Sequence, residues 1–414
     1  MEDLKKGYKN LPKSKICELP NGKTEIGIIP EDWEVVKLGE ISFLKGRIGW
    51  QGLTTNEYLN DGDYYLVSGV DFKDGKVDWQ NCYYVDKKRY EMDKNIQLRN
   101  GDLLITKDGT IGKVAFINEL PKKATLNSGV FVLRPINNAY YPKFVYYILT
   151  SFIFNKFIHT LKAGSTISHL YQKDFILFKF PLPPLPEQQK IAEILSTWDN
   201  AIEKLEELIN KKIEYKKGLM QKLLSGELRF PEFKEEWEEV RLGDICEIKK
   251  GTQLNKLNLL KTGKYPAING GIDPSGYTNK WNEEENTITI SEGGNSCGYV
   301  NFIKQKFWCG GHCYALKNLK IDKIDKLFLY QILKHKERRI MKLRVGSGLP
   351  NIQKKDLQYF KITLPPLQEQ KKIAELLTLQ DKEIELLKKK LNLLREQKKG
   401  LMQNLLTGRI RVKV

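Results

Sequence analysis

The chain repeats itself, and that repetition limits what it can fold into more than any single motif does. Leu182-Pro-Pro-Leu-Pro-Glu-Gln-Gln-Lys-Ile-Ala-Glu193 returns 182 residues later as Leu364-Pro-Pro-Leu-Gln-Glu-Gln-Lys-Lys-Ile-Ala-Glu375. The same offset carries Lys217-Gly-Leu-Met-Gln221 onto Lys399-Gly-Leu-Met-Gln403, and Leu223-Leu-Ser-Gly226 onto Leu405-Leu-Thr-Gly408. It also carries Gly164-Ser165 and Lys173-Asp174 onto Gly346-Ser347 and Lys355-Asp356. Upstream the offset widens. Phe144–Leu149 matches Phe328–Leu333 at 184, Gly112–Ile117 matches Gly298–Ile303 at 186, and Trp33 with Leu38-Gly39 matches Trp237 with Leu242-Gly243 at 204. Most of the drift lies between Gly46 and Ile105, whose partners are Gly251 and Ile290, with 58 residues in the first copy and 38 in the second. Two copies of one scaffold are expected, diverging in a segment whose insertions belong in surface loops. Such a pair suits two related sites that read different things.

After each Leu-Pro-Pro-Leu the apolar residues fall at alternating spacings of four and three. They are Ile191, Leu195, Trp198, Ile202, Leu205, Ile209, Leu219 and Leu223 in the first copy, and Ile373, Leu377, Ile384, Leu387, Leu391, Leu394, Leu401 and Leu405 in the second. That spacing is a coiled-coil seam, with Lys212, Lys216, Gln380 and Lys398 at its polar positions. Proline bars helix upstream, and Gly226 and Gly408 stand where left-handed C-terminal caps fall. Helices are predicted over Glu187–Leu224 and Glu369–Leu406, each about 57 Å long. The economical arrangement packs them antiparallel, with a globular domain at either end. Gly218 and Gly400, inside the helical pattern, suggest a close helix crossing or a local break.

The net charge is +18 over 414 residues, and the two helical stretches account for only +3 of it. The excess therefore sits mostly in the globular parts, which favours a polyanionic partner such as nucleic acid. No run of 18 apolar residues occurs and the first ten residues are charged, so a cytoplasmic protein is expected. The six cysteines form no disulfide framework. Cys309-Gly-Gly-His312-Cys313 is the densest thiol cluster, and reduced structural cysteines beside a core histidine suit it better than zinc.

Residues 1–181 and 229–363 carry short strand-like runs: Asp102–Thr106, Lys113–Ile117, Val130–Leu133 and Asn286–Ile290. One helix interrupts each region, near 142–161 and 323–342, so each domain is mixed α/β. Glycine-bearing turns recur between these elements. Glycine lets backbone amides approach phosphate, and Lys, Arg, Thr, Asn or Gln can reach phosphates and base edges. The candidate DNA-contacting residues are Lys45, Arg47, Lys107, Thr110, Ser165 and Thr166 in the first copy. In the second they are Lys249, Lys250, Thr252, Gln253, Asn295 and Ser347. No phosphate loop, HExxH or GxSxG motif occurs, both Pro-Pro pairs follow leucine, and none of the four histidines pairs with a nucleophile. Catalysis and metal binding are not expected.

The order Trp-Glu-x-Val-x-Leu-Gly, Gly-Ser, Leu-Pro-Pro-Leu-x-Glu-Gln and Lys-Lys-Gly-Leu-Met-Gln-x-Leu-Leu-x-Gly, present twice, resembles the specificity subunits of type I restriction-modification enzymes. The resemblance implies a fold of two pseudo-repeats, each a mixed α/β target-recognition domain followed by a long helix, the two helices packed as an antiparallel coiled coil. The expected division is 1–181 and 229–363 for recognition, with 182–228 and 364–414 helical. Ile191, Leu195, Ile202, Leu205, Ile373, Leu377, Ile384 and Leu387 would form the coiled coil and docking region. Each domain would read one half of a bipartite duplex. Two modification subunits using S-adenosylmethionine, and restriction subunits using ATP and Mg2+, would assemble on the helices. This chain itself would bind no cofactor.

Overall fold

The computed structural model describes residues 15–16, 28–47, 49, 52–163, 169–346, 348 and 350–414. Two helices dominate it, α1 (Leu185–Ser225) and α2 (Leu367–Leu405). Each starts two residues before the expected glutamate, because the first turn needs no intrahelical N–H partner and tolerates Pro186. The left-handed caps fall where the repeat placed them, at Gly226 (φ 79°) and Gly408 (φ 69°). A side chain at Gly408 would also collide with Pro30, whose Cδ lies 2.3 Å from the position of its Cβ. The chain divides into two compact units, residues 1–204 with 391–414, and residues 205–390.

In the first unit a four-stranded antiparallel sheet runs β3-β2-β4-β1, with β1 (Ser42–Gly46), β2 (Leu103–Thr106), β3 (Val114–Phe116) and β4 (Val130–Pro135). One face carries Leu44, Leu103, Ile105, Phe131 and Leu133 into a core shared with the helices at 142–163 and with Ile191, Leu195, Leu405 and Leu406 of the long-helix region. The other face carries Leu104, Val130 and Val132 into a second core. Alternation along each strand sends neighbours to opposite faces, which is why one short run serves both cores. The second unit repeats the sheet as β5-β8-β6-β7, with β5 (Glu247–Lys250), β6 (Thr287–Ser291), β7 (Val300–Ile303) and β8 (Cys313–Lys317).

Pairing registers equate the copies residue by residue. Phe131 faces Gly46 and Ile105, as Tyr314 faces Lys250 and Ile290. Gly46 therefore matches Lys250 and not Gly251, so the offset of 204 persists to the end of the edge strand. The longer first copy also departs from expectation. Its extra residues do not simply loop over the surface. They include a hairpin (Phe72–Lys73 with Lys76–Val77) and a helix (Lys87–Glu91). Phe72, Val77, Cys82, Ile96 and Leu98 are buried there with Val67 and Leu104. Apolar side chains at those positions gain more by burial than a solvated loop would.

Each helix expected inside a domain is broken in two, into Pro142–Leu149 and Phe152–Ala163, and into Lys326–His335 and Glu337–Met341. At the first break Ser151 Oγ donates to the Ile148 carbonyl and accepts from the Ile153 amide, so the hydroxyl stands in for helical partners. The expected core histidine is corrected: the His312 side chain is 62% exposed, whereas Cys297, Cys309 and Cys313 are buried, free thiols.

The seam residues Ile191, Leu195, Leu205, Ile373, Leu377 and Ile384 are buried, and Ile202 and Leu387 are half-buried. In the second unit the helices run antiparallel, since Lys216 pairs with Asp381 (2.6 Å) and Lys212, one turn earlier, with Glu383 (2.7 Å). In the first unit Lys398 pairs with Asp199. Three of the four polar seam positions are thus ion-paired, while Gln380 buries an Oε1 with no hydrogen-bond partner among the described residues. Gly218 and Gly400 fit neither reading made of them. The helices continue through both, and a Cβ at either would touch nothing within 4 Å.

The Glu-Gln of each Leu-Pro-Pro-Leu-x-Glu-Gln ties helix to domain. Gln188 accepts from the Tyr141 amide (2.8 Å) and donates to the Pro183 carbonyl (2.8 Å); Gln370 does the same with Asp325 (2.9 Å) and Pro365 (2.9 Å). Glu187 is buried and bound by Arg411, and Glu369 is buried and bound in bidentate fashion by Arg229. Arg229 and Arg411 are themselves 182 residues apart. Hydrogen bonding to the carboxylate raises the pKa of each guanidinium. A carboxylate this deep is tolerable only with such a partner.

Candidate nucleic-acid interface

At one end of each central sheet three chain segments converge. In the first unit they are the end of β1, the 106–112 loop after β2, and the segment at 169–170. The Leu170 amide donates to the Lys107 carbonyl (2.7 Å), and the His169 ring contacts the Asp108 carboxylate. In the second unit they are the end of β5, the 291–298 loop and residues 350–352. The Ile352 amide donates to the Glu292 carbonyl (2.8 Å), and the Gly294 amide donates to Pro350 (3.1 Å). Gly112 (φ 83°) and Gly298 (φ 89°) close the two loops in left-handed conformation. At Gly298 a side chain would meet Met341 at 2.9 Å, so only glycine lets the loop lie against that helix.

Most of the candidate contacts gather at these ends. Lys45 is half-buried on β1 opposite Val132, and Lys249 is exposed at the matching place opposite Ala315. Lys107 is half-buried with its Nζ 5.1 Å from the centre of the Phe131 ring; burial pushes its pKa down while Asp108 pushes it back up. Thr110 is exposed, and its carbonyl accepts from Thr106 Oγ1. Lys250 is exposed and reaches Glu292 (2.5 Å). Thr252 and Gln253 are exposed beside the 308–312 segment, the Thr252 carbonyl accepting from Trp308 Nε1 (2.8 Å). Asn295 is exposed on its loop. Ser165, Thr166 and Ser347 lie outside the described residues.

Arg47 is a correction. It is 2% exposed, its Nε donates to the Leu126 carbonyl (2.8 Å) and an Nη to Thr125 Oγ1 (3.3 Å). Burial lowers its pKa. The guanidinium fastens the end of β1 to the strand Lys123–Leu126, which lies in a smaller three-stranded sheet with Tyr64–Val67 and Tyr83–Val85, and has no face for a phosphate. A lysine–arginine turn in sequence does not reveal which cation turns inward.

Sequence reasoning also missed Glu292. Its side chain is 12% exposed, and Oε1 accepts from Lys250 and from the Tyr314 hydroxyl (3.3 Å). Among the described residues Oε2 is buried without a hydrogen-bond partner, 3.8 Å from His312 Nδ1. An acidic residue among basic candidates gave no signal by composition. Missed too was a group of cations over aromatic rings on the first unit's smaller sheet, with Lys122 near Tyr65 and Tyr84, and Lys123 near Tyr64. Among the described residues no group of three His, Cys, Asp or Glu is placed to hold a metal ion, and no helix is long and apolar enough to cross a membrane.

Two copies of one α/β frame, each presenting basic and polar loops at a sheet end and each tied to one long helix, define a two-domain recognition protein. The family model described as "Type I restriction modification DNA specificity domain" matches twice, over residues 30–215 and 234–396, and the chain belongs to that family. It is 34% identical over 422 residues to the protein named "Putative type I restriction enzyme MjaX specificity subunit" of Methanocaldococcus jannaschii, covering 94% of this chain and 96% of that one. It is 30% identical to the MjaVIII specificity subunit of the same organism, over 93% and 94% of the two chains. Among solved structures it resembles the type I restriction-modification S subunit from M. genitalium, with a TM-score of 0.63, 22% identity, and 95% and 99% of the chains covered. The fold is the specificity-subunit fold, two α/β domains with an antiparallel coiled coil.

Proposed function

We propose that this chain reads a bipartite duplex DNA target, one block per domain, and performs no chemistry of its own. The observation that carries this reading is the pair of equivalent sheet ends, built on the same backbone hydrogen bonds but bearing different side chains. One frame with two different faces suits two different short sequences. The recognition parts are residues 1–181 and 229–363, and residues 182–228 and 364–414 form the docking region for two modification subunits and for restriction subunits. S-adenosylmethionine, ATP and Mg2+ belong to those partners, and the assembly works in the cytoplasm. Docking is supported by apolar side chains that the coiled coil leaves uncovered. Leu379, Leu386 and Leu393 follow one another at seven-residue intervals along α2 and are 55%, 56% and 64% exposed. Seven-residue spacing is what a further helix would seat against.

Methylation mapping of cells carrying this chain with its modification subunit tests the reading. Two short blocks separated by an unread gap are expected, and a single continuous block or no sequence preference refutes it. The purified chain, incubated alone with S-adenosylmethionine and duplex DNA, is expected to transfer no methyl group. Its affinity for duplex should fall with salt, log affinity dropping by about 0.9 per log unit of salt for each phosphate neutralised.

A further inference from the structure

Lys107 and Glu292 occupy the same place in the two copies. The Lys107 amide donates to Gly129 (2.9 Å) and its carbonyl accepts from Leu170; the Glu292 amide donates to His312 (2.9 Å) and its carbonyl accepts from Ile352. The preceding residues agree as well. Thr106 bonds Lys113 and Gly112 through its backbone at 2.9 and 3.0 Å, and Ser291 bonds Tyr299 and Gly298 at 2.9 and 2.8 Å. The following residues, Asp108 and Gly293, bridge to His169 and Asn351. The loops differ in length by one residue only beyond this position, which lies two residues after the paired Ile105 and Ile290.

One frame therefore aims a donor-only side chain in the first domain and an acceptor-only carboxylate in the second. The carboxylate is half satisfied. Oε1 is fixed by Lys250 and Tyr314, and that fixes the side chain's direction. Among the described residues Oε2 has no hydrogen-bond donor, and it lies 3.8 Å from Nδ1 of the exposed His312 imidazole. A buried acceptor without a donor costs free energy that an arriving N–H group recovers. Base edges in the major groove offer both complements. Guanine presents acceptors at O6 and N7, and cytosine and adenine present exocyclic amino donors at N4 and N6.

Building on the bipartite DNA reading, we propose that this shared position determines specificity in both domains: Glu292 accepts from an exocyclic amino group in one block, and Lys107 donates to a guanine edge in the other. Lys250 and Tyr314 act as positioning residues for Glu292.

The test uses the complete complex with its modification subunit. Binding is measured on duplexes in which each cytosine or adenine of the block is replaced, one at a time, by an analogue lacking the amino group. The wild-type complex should lose about tenfold in affinity at one position of one block, and whether that base is cytosine or adenine identifies the source of the amino group. Glu292→Met, which removes the acceptor, should lose that discrimination while the other block stays unchanged. Lys107→Met, which removes the donor, should relax a guanine in the other block only. The proposal is overturned if the wild type tolerates every amino deletion, or if Glu292→Met remains as sensitive as wild type. It is also overturned if the variant weakens all sequences equally, as a mere tether for Lys250 on phosphate would. The wild-type series decides on its own should a variant fail to fold. A wild-type complex with no two-block preference would refute the bipartite reading itself and not this assignment alone.

Discussion

The first domain fills the back of its sheet with a hairpin and the segments that follow it, burying Phe72, Val77, Cys82, Ile96 and Leu98. The second covers the same face with a smaller cluster around Ile268, Phe307, Cys309 and Cys313. Yet both smaller sheets share one plan, a central strand (Tyr64–Val67 or Tyr265–Ile268) with one parallel and one antiparallel neighbour. On the helix side the copies stay close. Tyr147 donates to Asp199 where Gln331 donates to Asp381, and both aspartates accept a lysine from the opposite helix. The comparison teaches where the duplication could diverge. The face against the helices is held by partly buried polar pairs that tolerate little change, and the far face needs only to exclude water.

The largest effect is expected where that shared face is cut. Arg411→Ala leaves Glu187 buried with Trp33 Nε1 (3.0 Å, on Oε2) as its one remaining side-chain donor among the described residues, and should destabilise the first unit by about 3 kcal/mol in denaturant melts. A loss below about 1 kcal/mol would show that the two faces are not unequal in this way. Phe72→Ala, on the divergent face, should cost about 3 kcal/mol, the low end for truncating a buried phenylalanine. It should blur the first domain's block in methylation maps and leave the second block sharp; equal damage to both would break the separation of the domains.

A smaller effect sharpens a difference between equivalent helices. Lys143 lies over the Phe116 and Tyr146 rings (4.4 and 4.5 Å), and the second copy has Leu327 in its place. Burial lowers the Lys143 pKa to about 8, with Asp199 raising it and Lys76 and Lys398 lowering it further. The folded state thus sheds this proton before the unfolded state does. Its penalty is fully present below pH 8, and stability should rise between about pH 8 and the ordinary lysine range near 10.5. Lys143→Met should abolish that rise in a pH series of melts, and an unchanged slope would remove Lys143 as its cause. The smallest effect is a gain. Gly218→Ala and Gly400→Ala should each stabilise the isolated chain by up to about 1 kcal/mol, since a Cβ there meets nothing. If the same changes weaken assembly with the modification subunit in co-purification, the glycines serve the partner's approach; unimpaired assembly would leave them without that role.

Repetition, helix limits, capping glycines and the family were legible in the residues themselves, because period, proline and glycine act locally. So was the clustering of basic and polar turns, though only as composition. Which of those side chains faces outward was not legible: Lys45 and Arg47 are two residues apart, yet the arginine is spent on Leu126 and Thr125 from a distant strand. The ties Glu187–Arg411 and Glu369–Arg229 span more than a hundred residues each, and nothing local announces them. The offset that pairs Ile105 with Ile290 also pairs Lys107 with Glu292, but that one frame holds both residues emerged only from hydrogen bonds to segments far along the chain. Local periodicity determines elements, whereas the direction of a side chain and the partner of a buried charge depend on which distant segment packs beside it, and only the tertiary structure decides that.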